Sequence, residues 1–378
     1  MNSLPITVTS LRRPLPEDWS TVGFCRVFTD HQLLMRYSPA EGWCDAQIIP
    51  TEDAPRLATT TKVLHYAQGV FEGLKAYRHA DGRVGIFRLE AHLERLNRSA
   101  ERLAIPRLNE AFLAHAVRAL IDLDRRWVPE NEGCALYIRP VVFATDHTLG
   151  AGPSEDFMLA VMLSPASHYY SIRGGATNIL VEEEQSRVPS GGTGSVKAIG
   201  NYGSSLLATK RANDAGYEQV LWLDPLHHKY VEEVGTMNIF FVIDGRLITP
   251  RLTDTIMPGI TRNSLLILAS DLGIEVEERA ISMDEVLEAH RAGRLTECFG
   301  SGTAVSVSPI AEIRWGQNPI RLSGGTGASV AARLLQQLVG IQRGLCPDKH
   351  GWVRFVEPEV PDSLDAPARQ QALLSAVR

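Results

Sequence analysis

Cysteine is scarce in this chain, with five residues among 378, at positions 25, 44, 134, 298 and 346. The number is odd and the spacing wide. Neither a disulfide framework nor a zinc site of paired cysteines can be assembled from it. Five reduced thiols in a cytoplasmic protein are expected. Long apolar runs are missing too. No stretch approaches the roughly 18 consecutive apolar residues that a membrane helix requires, and the opening MNSLPITVTSLRRPLPEDW has no apolar leader core. Basic residues are in deficit: 38 Lys and Arg stand against 44 Asp and Glu, a net charge of -6. Nucleic-acid and anionic-membrane binders need a basic face. The charge therefore argues against a nucleic-acid partner and a membrane surface.

What is present is an ordinary globular composition, 44% hydrophobic and 22% charged, on a chain long enough for two domains with a core each. Leu93, Leu96, Ala100 and Leu103 recur at helical spacing, while Glu94 and Arg98 pair four apart on another face. A helix is predicted over 90–103, and a second over 110–127. Apolar β-prone runs predict strands at 135–144 and 157–163. Residues 168–193, dense in Gly, Ser and Pro, read as a connector. Beyond them, strands are predicted at 219–223, 230–233, 237–242 and 247–249, the last two joined by a hairpin turn at Asp244-Gly245. Helices follow at 262–272, at 283–292 behind a Ser282–Glu285 capping box, and at 328–343 after Gly325-Thr326-Gly327. Strands are expected on both sides of Gly300–Thr303. The expected class is α+β in two domains: a small N-terminal domain over 1–168, an interdomain loop over 169–182, a large C-terminal domain over 183–356, and a proline-rich tail over 357–378.

Three segments carry candidate chemistry. The first is Gly191-Gly192-Thr193-Gly194-Ser195-Val196-Lys197, a single lysine in a glycine-rich, nearly uncharged stretch. A lysine among apolar atoms suits Schiff-base chemistry; taken alone, a surface lysine is the commoner reading. Val196 stands where a phosphate-cradling P-loop needs Gly next to Lys. The second is Glu232-Glu233-Val234-Gly235-Thr236-Met237-Asn238, with acids at a strand end. Alternation predicts Glu232 and Glu233 on opposite faces. The third is Met257-Pro258-Gly259-Ile260-Thr261-Arg262, where a helix start aims N–H groups at one point, as an anion site requires.

The three occur in one order with further matching stretches: AQGVFEGLKAYR at 67–78, LYIRP at 136–140, SVKAIGNYG at 195–203, EQVLWLD at 218–224, EEVGTMNIFF at 232–241, MPGITRNSLL at 257–266 and CFGSGTA at 298–304. Together, over about residues 20–356, they resemble the branched-chain amino-acid aminotransferases, pyridoxal 5'-phosphate enzymes of fold type IV. The resemblance implies a two-domain α+β fold and reversible transamination of leucine, isoleucine and valine with 2-oxoglutarate.

It implies roles residue by residue. Lys197 matches the lysine that binds the cofactor covalently and shuttles the substrate's proton. Glu233 matches the carboxylate on the pyridine nitrogen, Tyr202 the tyrosine on the phenolic oxygen, and Arg95 the phosphate clamp. Thr236, Ile260, Thr261 and Thr303 fall at cofactor-binding positions. Tyr66, Phe71, Tyr137 and Tyr169 match the substrate pocket's aromatic wall, and Phe24 and Lys75 match further positions that line the site. Tyr137, Thr303 and Ala304 match the α-carboxylate site. Arg139 matches the arginine that accommodates glutamate's second carboxylate. The resemblance also implies a homodimer. Val305 and Ser308 replace a redox-sensitive cysteine pair found in some relatives, so no thiol switch is expected. Three other readings stay open at this point: a D-amino-acid aminotransferase, an aminodeoxychorismate lyase, and a cofactor-binding homologue without catalysis.

Overall fold

The computed structural model describes residues 4–167, 176–322 and 329–357. The chain divides into two compact units, one of residues 1–169 with 341–378 and one of residues 170–340. Among the described residues, no helix is long and apolar enough to cross a membrane.

In chain order the first unit contains β1 (His31–Ser38), β2 (Gly42–Pro50), the short helix α1 (Val63–Tyr66), β3 (Gly69–Phe71), β4 (Leu74–Arg78), β5 (Val84–Phe87), α2 (Leu89–Arg102), α3 (Glu110–Leu123), β6 (Ala135–Ala144) and β7 (Phe157–Ala166). Its sheet is antiparallel throughout, and a strand at 353–356 joins its edge beside β5. Leu89, Leu93, Leu96 and Ala100 put one face of α2 into the core, and Glu94 and Arg98 stay exposed, as the spacing requires. Each fully buried leucine of that stripe contributes about 1.5–3 kcal/mol.

One interruption matters for the site. β6 pairs with β4 through Leu136–Ile138 and with β3 through Val141–Phe143. Between them the partner strand breaks at Glu72-Gly73, opposite Arg139-Pro140. A proline has no N–H to give a ladder, so the break falls where a bond would be missing anyway. The Glu72 N–H still donates to the Pro140 carbonyl at 2.8 Å.

The second unit continues with β8 (Thr177–Val181), α4 (Gly200–Gly203), α5 (Leu206–Asp214), β9 (Gln219–Leu223), β10 (Val231–Val234), β11 (Met237–Ile243), β12 (Arg246–Thr249), α6 (Ile260–Asp271), β13 (Val276–Glu278), α7 (Met283–Arg291), β14 (Leu295–Gly302), β15 (Ser306–Trp315), β16 (Asn318–Arg321) and the start of α8 (Val330–Gln342). The strand at 353–356 is β17. Six strands close into a ring, β10–β9–β8–β15–β14–β11, because β11 also pairs with β10. That closing link is a hairpin of two pairs, Glu233 with Asn238 and Val234 with Met237. Its turn needs Gly235, which has φ +57° and leaves no room for a Cβ beside Gln219. Along β9, Leu221 and Leu223 join one apolar cluster with α7. Val220 and Trp222 face Ala208 and Ala212 of α5.

The expected helices and strands are found within a few residues of their expected ends. The Asp244-Gly245 turn has both residues at positive φ. Ser282 caps α7 by accepting the Glu285 N–H. The capping box is only half made, because the Glu285 carboxylate bonds Arg279 instead. Two domain boundaries are corrected. Thr177–Val181, placed in the interdomain loop, is a ring strand between β9 and β15; its flanking Gly and Pro hid five residues whose odd members are buried. Val353–Val356, assigned to the C-terminal domain, belongs to the first unit's sheet, where it pairs with β5. The Gly325–Gly327 turn, the first residues of the 168–193 connector and the tail from 358 lie outside the described residues.

The loop that leads to Lys197 is packed without slack. A Cβ on Gly194 would stand 2.6 Å from Thr255 Cα and from Val188 Cγ2, and 2.8 Å from the Asp254 carbonyl oxygen. Two of these are backbone atoms, so neither can swing aside. Gly194→Ala is expected to lower stability by about 1–3 kcal/mol through overpacking. Urea denaturation checks it, and an unchanged midpoint would mean that the loop has room.

Candidate active site

Within the second unit, Lys197 stands half-buried between Val196 and Ala198, which are buried. Asn201 ties the loop by donating to the carbonyls of Thr193 at 2.7 Å and Val196 at 3.0 Å, while the Thr193 hydroxyl donates to its Oδ1. The Lys197 Nζ donates to the Tyr202 hydroxyl at 2.8 Å. Both line a cleft of about 360 Å³, counting its open mouth, with Arg187, Asn201, Ser205, Glu233, Gly235, Thr236 and Met257.

Glu233 lies across that cleft at the ring's closing hairpin and is 3% exposed. Its Oε1 accepts from the Met257 N–H at 2.8 Å and from Asn238 Nδ2 at 3.2 Å. Arg187 Nε lies 3.0 Å from Oε2, close enough for an ion pair but not aligned as a hydrogen bond. Burial pushes the Glu233 carboxyl up from its ordinary range, against the pull of Arg187 and the Met257 N–H. The start of α6 adds an anion-binding element. Gly259 caps it with no side-chain bond, so the first N–H groups, those of Ile260 and Thr261, point out of the helix without a capping oxygen.

These features fit pyridoxal phosphate. A lysine amine, a phenol, a buried carboxyl and an uncapped helix start are the donors and acceptors that its aldehyde, phenolic oxygen, ring nitrogen and phosphate require. The cradle is also tight. A Cβ on Gly259 would lie 2.0 Å from Asn238 Oδ1, so a side chain there would displace the amide that bonds Glu233.

The first unit holds a second group. Glu72, at the strand break, is fully buried. It accepts Arg95 Nε at 2.6 Å, Arg95 Nη2 at 2.8 Å and His92 Nδ1 at 2.9 Å. Burial alone would raise its carboxyl, but Arg95 and His92 outweigh it and hold the group far below the usual range. On the sheet, Tyr137 and Arg139 share a face, with Arg139 Nη2 donating to the Tyr137 hydroxyl at 2.9 Å. Ile138 turns into the core. The Arg139 guanidinium lies over the Phe71 ring at 4.6 Å, and Phe24 meets Tyr137 edge-on at 4.8 Å. Tyr137 is possible only because Gly73 has no Cβ; one would sit 1.9 Å from its hydroxyl. Burial pushes Tyr137 up to about 12 and Lys75 down to about 8.

The structure thus brings Lys197, Tyr202, Glu233 and Thr236 to one cleft, and Phe24, Phe71, Tyr137 and Arg139 to one cluster. Thr303 and Ala304 occupy the turn between β14 and β15. Tyr66 stands apart from the cluster's ring contacts: it is 45% exposed and donates to the Leu149 carbonyl. Tyr169 lies outside the described residues. Cys298 is buried, its thiol raised well above the ordinary value, and Ser308 bonds the Thr177 hydroxyl at 3.0 Å. Reading the sequence alone missed Arg187, Asn201, Asn238 and Glu72. Glu72, Asn201 and Asn238 lay inside the matching stretches without a role being read for them, and Arg187 stood outside them as a lone cation in SRVPSGG.

Comparison with known proteins follows the same lines. The model of the family described as amino-transferase class IV matches residues 69–313. A probable branched-chain-amino-acid aminotransferase of Staphylococcus aureus (strain MRSA252) is 46% identical over 355 residues, covering 92% of this chain and 98% of the relative. Branched-chain-amino-acid aminotransferase 2 of Bacillus subtilis (strain 168) is 43% identical, with 94% and 97% covered. Among solved structures, the T.th. branched-chain amino acid aminotransferase with pyridoxamine 5'-phosphate superposes with a TM-score of 0.71 at 29% identity, over 86% of this chain and 98% of that one.

The Glu72–Arg95 pair gives a test with a definite sign. Glu72→Gln removes one partner of a buried pair and is expected to cost about 3–5 kcal/mol. The folded carboxyl sits below its ordinary value of 4.5. Its contribution is therefore complete above about pH 4.5 and is lost as the pH falls toward the folded value. Urea midpoints of wild type and variant should converge as the pH drops below that point. A gap that stays constant from pH 7 to pH 3 would mean that Glu72 is not ionised in the fold.

Proposed function

Because the chain belongs to the class IV aminotransferases, we propose that it exchanges amino groups between leucine, isoleucine or valine and 2-oxoglutarate, with pyridoxal 5'-phosphate as cofactor. The observation that carries this reading is the meeting of Lys197 Nζ, the Tyr202 hydroxyl and the buried Glu233 carboxyl in one cleft. The branched-chain aminotransferases among its relatives favour it over a D-amino-acid aminotransferase, an aminodeoxychorismate lyase or a non-catalytic homologue. A homodimer and a cytoplasmic location belong to the same proposal.

When bound, the cofactor supplies an electron sink for the pair left behind when a proton leaves the substrate's Cα. Lys197 is assigned to hold the cofactor and to carry that proton on Nζ. Tyr202, already bonded to Nζ, keeps the amine aimed. Glu233 holds a proton at the ring nitrogen, and its raised proton affinity suits a shared rather than a surrendered proton. Arg95, the N–H groups of Ile260 and Thr261, and Thr303 are assigned to the phosphate, with Thr236 beside the ring. Lys75, Phe24, Tyr66, Phe71, Tyr137 and Tyr169 are assigned to the substrate wall, and Thr303 and Ala304 to the α-carboxylate.

Two unlike substrates must use one place. Glutamate brings a second carboxylate, whose burial unpaired would cost several kcal/mol; leucine brings only carbon. Arg139 suits both. It can pair with a carboxylate, and without one it keeps the Tyr137 hydroxyl and the Phe71 ring as partners.

Purified protein loaded with pyridoxal phosphate should be yellow and change its spectrum when leucine is added. Lys197→Ala is expected to abolish multiple turnover while the fold survives. A variant that turns over leucine at near-wild-type rate would remove Lys197 from its role, and a strict preference for D-alanine would overturn the branched-chain reading.

Arg139→Met should separate the half-reactions. Loss of a buried charge partner costs about 2–5 kcal/mol, so the glutamate and 2-oxoglutarate side is expected to fall by roughly thirty- to several-thousand-fold. The leucine side should lose less than about tenfold. Single-turnover rate over binding constant for each half-reaction is the measurement. Equal losses on both sides would make Arg139 a structural residue or one that orients the shared α-carboxylate.

A further inference from the structure

Strand β10 bulges just before Glu233. Val231 pairs with Leu223 but Glu233 pairs with Trp222, so the residue between them is extra. A bulge re-aims a side chain and suspends strict alternation. The expectation that Glu232 points away from Glu233 therefore fails. Val231 and Val234 both enter the apolar cluster. The two carboxylates between them are 6% and 3% exposed and share Arg187 as a neighbouring cation.

Glu232 is tied to the segment 253–257. Its Oε1 accepts from the Thr255 hydroxyl, which also bonds the Thr253 hydroxyl at 2.8 Å. The Thr255 carbonyl accepts Arg187 Nη2, and the same nitrogen donates to the Gly194 carbonyl at 2.8 Å. Two residues further on, the Met257 N–H donates to Glu233 at 2.8 Å. The segment thus orients two of the four groups that pull the Glu233 carboxyl down, Arg187 and the Met257 N–H, and Glu232 holds it by its middle. Asp224 also faces Glu232, and Lys197 and Arg262 face Glu233. Burial pushes Glu232 up to about 7. The Thr255 contact survives either protonation state, because a hydroxyl can donate or accept.

We propose that Glu232 is a positioning residue for Glu233: by anchoring Thr255 it fixes the segment 253–257, and so keeps the Arg187 guanidinium and the Met257 N–H on the carboxyl that faces the cleft. The inference rests on Glu233 being the partner of the cofactor's ring nitrogen. It adds a requirement that none of the motifs states, namely that the neighbouring glutamate and a threonine twenty-two residues beyond Glu233 act as one unit.

The test uses the full chain loaded with pyridoxal phosphate, in wild type, Glu232→Ala, Glu232→Gln, Thr255→Val and the Glu232→Ala/Thr255→Val double variant. Two quantities are read: amide exchange at Met257, and kcat against KM for leucine. Loss of the anchor should speed Met257 exchange and lower kcat by about three- to tenfold, the effect of loosening one hydrogen bond, with KM within about twofold. Glu232→Gln, which keeps an acceptor for Thr255, should restore both. The double variant should be no worse than the poorer single one, since each breaks the same contact.

Wild-type exchange and kcat in Glu232→Ala, additive losses in the double variant, or no rescue by Gln would each overturn the proposal. If Glu232→Ala does not fold, Thr255→Val decides, and unchanged exchange and kcat there overturn it. A wild-type protein that binds no pyridoxal phosphate and gives no spectral change with leucine would instead sink the functional reading. Met257 exchange would then still decide whether Glu232 anchors the segment.

Discussion

A carboxylate is expensive to bury, and the second unit is arranged around burying one. Glu233 sits on the two-pair hairpin that closes a six-stranded ring. The hairpin and the segments packed on it make the carboxyl tolerable. Asn238, its cross-strand partner, donates to it; Arg187 supplies the counter-charge; Met257 supplies a backbone N–H. Fold closure and site chemistry are therefore one problem at this seam. Loosening the seam would expose the acid to water and return it to ordinary carboxylate behaviour.

The same economy explains the glycine-rich loop before Lys197. Its glycines are not a phosphate cradle. Gly194 lies against the backbone of 254–255, and its carbonyl takes Arg187. The loop is thus pressed onto the segment that also serves Glu233. Asn201 then fixes the turn from inside, so Lys197 projects from a rigid support although it lies in no regular element. Precision on a loop normally needs such backing.

Much of this was legible in the sequence. Helical spacing located α2, which buries one face and shows it in its pattern, while β6 and β9 stood out as short β-prone runs and α6 as an apolar run behind Pro258-Gly259. Lys197, Glu233 and the α6 start were legible as motifs. Three things were not. The five residues of β8 are too short to stand out between Gly- and Pro-rich neighbours. The return of residues 353–356 to the first sheet is a long-range pairing, which no local pattern encodes. The bulge at Glu232 reverses a face assignment that simple alternation implies. Glu72 was invisible for another reason: its role depends on a strand break opposite Pro140 and on Arg95, from a helix twenty-three residues on. Neither fact is local to Glu72.

Three buried glutamates with one chemistry end in opposite states. Glu72 accepts two arginine N–H groups and a histidine, and the gain outweighs its burial; it stays charged and fixes Arg95. Glu233 has an arginine beside it too, but the guanidinium Nε is misaligned for a hydrogen bond, and burial wins. Glu232 has only a hydroxyl as its direct partner and rises into the neutral range. Alignment of the cation, more than its presence, thus separates a carboxyl held below its ordinary range from one raised above it. Acid–base roles follow where environments push like groups apart. A carboxyl held far below neutrality cannot exchange a proton during a reaction near pH 7. The aligned arginine thus goes with Glu72, which holds Arg95 and His92 in place, and the offset one with Glu233, the acid that lines the cleft.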